Sequence, residues 1–167
     1  ELLVFDIWAP FAYFRKGATT TTSLTFAFMP RSSIEGLIGS FLGLESHDYP
    51  ERLKDAKIAL QIINKVCKMP FSMMHTHTDY WSEFGIYLRR EPFESTKRKV
   101  FRAPVKIEVL SNPHYRIYFV HDEVLESLKE ILSKHETVFT PYLGSSSMIA
   151  NFSYVELCKY YPHAPDD

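Results

Sequence analysis

The sequence predicts an α+β fold in which helices alternate with strands, and three observations carry that expectation. Short runs rich in β-forming residues recur at 2–8, 58–63, 105–110, 115–121 and 151–160. Two segments, 34–42 and 122–134, show apolar residues at helical spacing with helix-end signals around them. Between them, 66–102 mixes Met, His, aromatics and charge and fits no regular element. In order this gives strand, helix, strand, insertion, strand pair, helix, strand. The core pattern β-α-β-β-α-β is that of the ferredoxin-like fold, the scaffold also used by the RNA recognition motif.

Each element has its own warrant. LLVFDIW (2–8) is an apolar run that reads as a buried strand, and 9–23, with Pro10 and Gly17, reads as loop. Leu24–Met29 reads as extended. Ser32-Ser33-Ile34-Glu35 predicts a capping box, with Ser32 as N-cap and Glu35 reaching back. The helix that follows places Ile34, Leu37, Ile38, Phe41 and Leu42 on one face, and Gly43 terminates it. Gly36 and Gly39 weaken that helix, and close packing on the sheet is the expected compensation. IALQII (58–63) is a second strand. VKIEVL (105–110) and YRIYFVH (115–121) alternate on either side of a Ser-Asn-Pro turn. Asp122 is the expected cap of the second helix, and NFSYVELCKY (151–160) the final strand. The irregular 66–102 reads as an excursion from the sheet, a long hairpin inserted in a single domain spanning 1–167.

Composition narrows the function. The chain has 167 residues, is 46% hydrophobic and 23% charged, and holds no apolar stretch near the roughly 18 residues that span a bilayer. No membrane partner is expected. It begins at Glu1 without a methionine, which reads as a sequence that has lost its start. Cys67 and Cys158 make neither a disulfide framework nor a zinc set, and the cytoplasm is the expected location. Net charge is −1, yet seven bases (Arg89, Arg90, Lys97, Arg98, Lys99, Arg102, Lys106) against two acids lie between 89 and 106. Such a stripe attracts a polyanion, although a solvated charged hairpin has the same composition. Aromatic residues make up 15% of the chain, a surplus that suits stacking on unpaired bases.

The strongest local signal is FRKGATTTTSLTFAFMPRSS (14–33). Arg15 and Lys16 supply charge, Gly17 a tight backbone approach, and the threonines hydroxyl and amide donors to phosphate or ribose. Arg31 precedes a helix N-terminus, where unpaired N–H groups favour an anion. The bland alternative is an edge strand of threonines with Arg31 paired to Glu35. LGSSSMIAN (143–151) puts Gly144 before three serines, which can form a nest of N–H groups or a plain solvated loop. HTHTDYW (75–81) aligns His75, His77 and Asp79, but spacing fixes no further ligand, so no metal or other cofactor is expected. There is no P-loop, Rossmann fingerprint, nucleophile elbow or HExxH.

Residues 5–44 resemble the N-terminal signature of the CRISPR-associated RAMP proteins of the Cas-five family. The resemblance lies in Phe14-Arg15-Lys16, Thr19 to Ser23, Thr25-Phe26-Ala27-Phe28, Pro30-Arg31-Ser32 and Gly36-Leu37-Ile38-Gly39. TPYLGSSSMIANFSYVE (140–156) is similar to the family's Pro-Tyr-Leu-Gly loop before its last strand. The variant most resembled is that of subtype I-B.

This resemblance implies a RAMP fold with a thumb hairpin, for which 66–102 is the candidate. It implies a non-catalytic subunit of the Cascade complex in antiviral defence. Such a subunit holds the 5′ handle of the CRISPR RNA and caps the backbone filament. Its partners would be the handle, the backbone and large subunits, and, indirectly, target DNA near the PAM. The implied RNA contacts are Phe14, Arg15, Lys16, Thr20, Thr21, Thr22, Arg31, Ser32, Arg98, Lys99, Arg102, Tyr142, Gly144 and Ser145, with Phe14 and Tyr142 the candidate stacking rings. Two alternatives stay open. One is a metal-independent endoribonuclease, as in the subtype I-C branch, for which His75, His77, Tyr80 and the adjacent Lys134-His135 are available. The other is a protein-binding adaptor.

Overall fold

The computed structural model describes residues 1–17, 23–76, 102–159 and 161. Its main sheet has four antiparallel strands in the order β3-β6-β1-β7: β1 is Leu2–Trp8, β3 Lys57–Ile62, β6 His114–Val120 and β7 Asn151–Cys158. Taken in chain order, the second, third, first and fourth of these strands lie side by side, the ferredoxin-like arrangement that the element order predicts. Two helices, α1 (Arg31–Leu42) and α3 (Leu125–Ser133), connect them and pack on one face.

The core sits between that face and the helices. Leu3, Phe5 and Ile7 point into it from β1, and Tyr115, Ile117 and Phe119 from β6. Phe41 of α1 meets Phe5 edge-on at 6.1 Å and Phe152 of β7 at 4.9 Å between ring centroids. As the continuous apolar run of β1 suggests, its residues Leu3 to Ile7 are buried on both faces. On the far face Asp6 is held by Arg116, whose Nε and Nη2 donate to Oδ1 at 2.7 Å and Oδ2 at 3.0 Å. His114 Nε2 lies 3.5 Å from Asp6 Oδ2.

A second, three-stranded sheet holds the inserted hairpin. It orders β2 (Phe11–Ala12), β5 (Arg102–Ser111) and β4 (Cys67–Thr76), with β4 and β5 paired along their whole length from Cys67–Ser111 to Thr76–Arg102. Ile107, Val109 and Met148 form a small core of their own with Phe11, Tyr13, Met69, Phe71, Met73 and Val105 packed on it. The strand at 105–110 therefore belongs to the hairpin and not, with 115–121, to the main sheet. The turn at Asn112, whose φ is 48°, carries the chain from one sheet to the other. Pro70 hides β4 in the sequence, yet β4 is an edge strand, where a residue without an N–H is tolerated. The excursion between Thr76 and Arg102 lies outside the described residues.

The helix ends differ from the sequence expectation. The first helix starts at Arg31, with Pro30 as N-cap and no side-chain cap, so Ser32 stands within its first turn. Glu35 is drawn away from the capping box by Arg31, whose Nε donates to it at 2.7 Å. Asp122 does not cap α3, whose N-cap is Val124 without a side-chain cap; in the turn before the helix His121 Nδ1 accepts from the N–H groups of Glu123 and Val124. Gly36 and Gly39 face a short helix, α2 (Tyr49–Arg52), rather than the sheet. A Cβ on Gly39 would stand 3.1 Å from the Tyr49 ring. None of the helices among the described residues is long and apolar enough to cross a membrane.

Two outcomes follow for stability. Phe41 is fully buried, so Phe41→Ala removes a packed ring and is expected to cost about 3–5 kcal/mol in urea unfolding. The hydrogen bonds from Arg116 hold the Asp6 carboxyl below the usual carboxylate range, against the opposing effect of burial. A carboxyl depressed in the folded state contributes stability above its unfolded pKa and loses it as pH falls through the folded value. Thermal melts from pH 7 down to 3 should therefore show a weaker acid dependence in Asp6→Asn than in the wild type.

Candidate nucleic-acid interface

Within the sequence signature at 14–33, residues 14–16 and 24–26 pair as two antiparallel limbs. Lys16 N–H donates to Leu24 O at 2.9 Å and Phe26 N–H to Phe14 O at 2.8 Å, with Arg15 and Thr25 bridged between them. Thr25 is fully buried, and its Oγ1 accepts from the Phe14 N–H at 3.0 Å. The same hydroxyl has the carbonyls of Phe26 and Phe14 within 3.1 and 3.4 Å as acceptors. This satisfies a polar group that burial would otherwise penalise.

Thr25 inward means Phe26 and Phe28 outward, because neighbours in an extended chain alternate faces. Phe26 is 37% exposed and Phe28 49%. The Lys16 ammonium stands 5.6 Å over the Phe26 ring, and Arg15 is exposed beside it. Phe14 is not a stacking ring here. It is buried, with its centroid 6.4 Å from that of Tyr115, and offers no face to a base. The missed aromatics were legible in the alternation of Thr-Phe-Ala-Phe, which the usual expectation of Phe inward and Thr outward inverts.

The loop 140–150 docks against this hairpin. Tyr13 N–H donates to Leu143 O at 3.0 Å. Gly144, at φ 85°, comes so close that a Cβ there would lie 2.0 Å from Tyr13 O and 3.0 Å from the Phe14 ring. The loop is closed by Leu143 N–H to Met148 O and Met148 N–H to Ser145 O, and Tyr142 pairs with Ile149. The Ser145 and Ser147 hydroxyls are 3.1 Å apart. The N–H groups of residues 144–147 have no backbone acceptor among the described residues, as a nest of donors requires. Tyr142 is 47% exposed at the loop's start.

Arg31 is not poised for phosphate. Besides Glu35, its guanidinium donates to the carbonyls of Leu53, Lys54 and Ala56, tying the start of α1 to the approach to β3. This is the paired alternative, and it leaves a structural role. Ser32 beside it is exposed. Arg102 opens β5, where its backbone pairs with Thr76, while Thr20, Thr21, Thr22, Arg98 and Lys99 lie outside the described residues. His77 and Tyr80 also lie outside them, and of His75 only the backbone is described. Lys134 Nζ is engaged by Glu130 at 2.6 Å, and His135 stacks on Phe152 at 4.4 Å. Among the described residues no three His, Cys, Asp or Glu side chains gather as metal donors.

The model of the CRISPR-associated protein (Cas_Cas5) family, Cas_Cas5d, matches residues 2–165. This chain belongs to that family. Among solved structures, it is similar to a chain described as a CRISPR RNA-guided surveillance complex, with TM-score 0.65 and 13% identity over 89% of this chain. A crystal structure of a Cas protein matches with TM-score 0.61 and 14% identity, covering 98% of this chain and 67% of that one. A type III-B Cmr-beta complex bound to cognate target RNA and AMPPnP matches with TM-score 0.50 and 16% identity, covering 92% of this chain and 64% of that one. These likenesses show the fold. The chain spans 59% of the length of the surveillance-complex chain. No curated protein matches.

The close approach of Gly144 to Tyr13 gives a direct check. Gly144→Ala is expected to destabilise the protein by about 1–3 kcal/mol through backbone strain alone, and further through the clash. Ser146→Ala, at an exposed neighbour in the same loop, should stay within about 0.5 kcal/mol of wild type. Urea unfolding of both variants measures the difference.

Proposed function

We propose that this Cas5-family protein is a non-catalytic, handle-holding subunit of a type I Cascade complex, most like that of subtype I-B. Its reading rests on one observation above all. The two separated segments that carry the family resemblance, 5–44 and 140–156, meet where Leu143 and Gly144 lie on the backbone of Tyr13. Their meeting sets the serine loop, with the exposed ring of Tyr142, against the limb that leads to Arg15 and to Lys16 over Phe26. Charge and amide donors suit the phosphates of a single strand, and exposed rings suit its splayed bases.

In this reading the CRISPR RNA 5′ handle lies across the hairpin and the serine loop. Thr20, Thr21 and Thr22, outside the described residues, would add hydroxyl and amide donors to the handle. The β4–β5 hairpin is the thumb that reaches the backbone subunit, with Arg98, Lys99 and Arg102 on its basic stretch. The large subunit and, through it, target DNA near the PAM complete the surroundings. Of the residues available to the endoribonuclease reading, Lys134 pairs with Glu130 and His135 stacks on Phe152, while His77, Tyr80 and the His75 side chain lie outside the described residues.

Fluorescent handle RNA, titrated against a scrambled RNA of equal composition at two salt concentrations, tests this reading. The wild type should prefer the handle. Arg15→Glu with Lys16→Glu should weaken binding about tenfold or more and flatten the salt slope by about 1.4, two phosphate contacts at about 0.7 each. A denaturing gel of repeat RNA incubated without metal should show it uncut. Equal affinity of wild type and variant would end the assignment of Arg15 and Lys16, and cut repeat RNA would favour the nuclease.

A further inference from the structure

Thr25 also joins the RNA-facing hairpin to the inserted one. Its N–H donates to Glu108 Oε2 at 3.2 Å, on β5. Its carbonyl accepts from Lys68 Nζ at 3.0 Å, on β4. Lys68 and Glu108 are themselves paired at 2.9 Å. Beside them, Glu108 N–H donates to Ser23 O at 2.9 Å, and Ser23 bridges Ile107. One peptide unit on either side of a buried threonine is thus clamped between an ammonium on one strand and a carboxylate on the next.

The polarity of the clamp is specific. The N–H of Thr25 faces the acceptor and its carbonyl faces the donor, so each charged group has a defined partner. The Lys68 hydrogen bond, the Thr25 N–H and the charges of Lys68 and Lys16 hold the Glu108 carboxyl below its usual range, which keeps it an acceptor at neutral pH. Lys16, on the opposite limb of the hairpin, also adds its charge to the field at Glu108, as the smallest of these contributions. Lys68 is exposed and Glu108 half-buried, with side chains 33% and 26% exposed, so the ion pair itself adds little and the hydrogen bonds to the Thr25 peptide groups carry the clamp.

We infer that Lys68 and Glu108 are positioning residues for RNA, coupling the place of the β4–β5 hairpin to the geometry of the Arg15–Lys16 loop. This rests on the handle-holding reading and adds a consequence to it. A partner that shifts β4 or β5 moves both hydrogen-bonding groups of Thr25, and with them the loop that Thr25 holds. By reciprocity, RNA seated on the loop changes how tightly the hairpin engages its partner.

Four variants separate positioning from simple support of the sheet: Lys68→Met, Glu108→Gln, Lys68→Arg, and the charge exchange Lys68→Glu with Glu108→Lys. The exchange restores the ion pair but turns an ammonium toward the Thr25 N–H and a carboxylate toward its carbonyl. Positioning predicts about a tenfold loss of handle affinity in Lys68→Met and Glu108→Gln, the equivalent of one charged hydrogen bond. Lys68→Arg should retain affinity. The exchange should recover the melting temperature and not the RNA affinity. Amide hydrogen exchange of the free protein should quicken at 14–16 and 23–26 in Glu108→Gln and in the exchange variant, and not in Lys68→Arg.

Recovery of both stability and affinity by the exchange would overturn the inference, as would unchanged affinity in both single variants with wild-type preference for the handle intact. Failure of the wild type to prefer the handle would instead remove the handle-holding reading. Unchanged hydrogen exchange at 23–26 in Glu108→Gln would overturn the clamp without reference to RNA.

Discussion

A buried threonine hydroxyl, bonded to the backbone of a segment eleven residues away, organises the edge proposed to hold RNA. Thr25 Oγ1 takes the N–H of Phe14, which no strand partner satisfies at that point, and the exchange fixes the hairpin's register. With Thr25 turned inward, Phe26 and Phe28 have to face out and Phe14 in. Gly144 in turn lies against the Tyr13 carbonyl and the edge of the Phe14 ring, so the serine loop can approach only as a glycine permits. Exposed charge, exposed rings and unpaired amides reach the same edge because one polar side chain is satisfied inside.

The ferredoxin-like sheet is the platform for this edge rather than the edge itself. Its helices cover one face, and Asp6 with Arg116 occupies the other. The candidate site is carried on the connections: the β1–α1 segment, the α3–β7 loop and the strand pair inserted between β3 and β6. The small core of Ile107, Val109 and Met148 unites these, since Met148 comes from the serine loop and Ile107 from the inserted hairpin. Loops held on such a second core can present donors without the mobility that a free loop would spend on binding.

Much of the fold was legible because its signals are local. The run at 2–8 and the spacing of Ile34, Leu37, Ile38 and Phe41 each specify an element without reference to the rest. What was not legible depended on pairings distant in sequence. Pro70 concealed β4 because its tolerance comes from the strand's edge position. VKIEVL was recognisable as a strand but not as a hairpin strand, since periodicity does not say which sheet a strand joins. For the site, charge and glycine patterns located both loops, while the fate of each side chain did not follow. Arg31 and Phe14 were expected to face RNA. Arg31 instead met three carbonyls and Glu35, and Phe14 was drawn into the core by Thr25. The Lys68–Glu108 clamp spans 40 residues and leaves no local trace.

Photocrosslinking tests the central claim most directly. Handle RNA carrying 4-thiouridine, bound in the assembled complex, would be irradiated and its peptide adducts mapped by mass spectrometry. The account predicts adducts in both 13–31 and 140–150, together and from neighbouring nucleotides. Adducts confined to the outer surfaces of α1 and α3, with neither loop labelled, would contradict it.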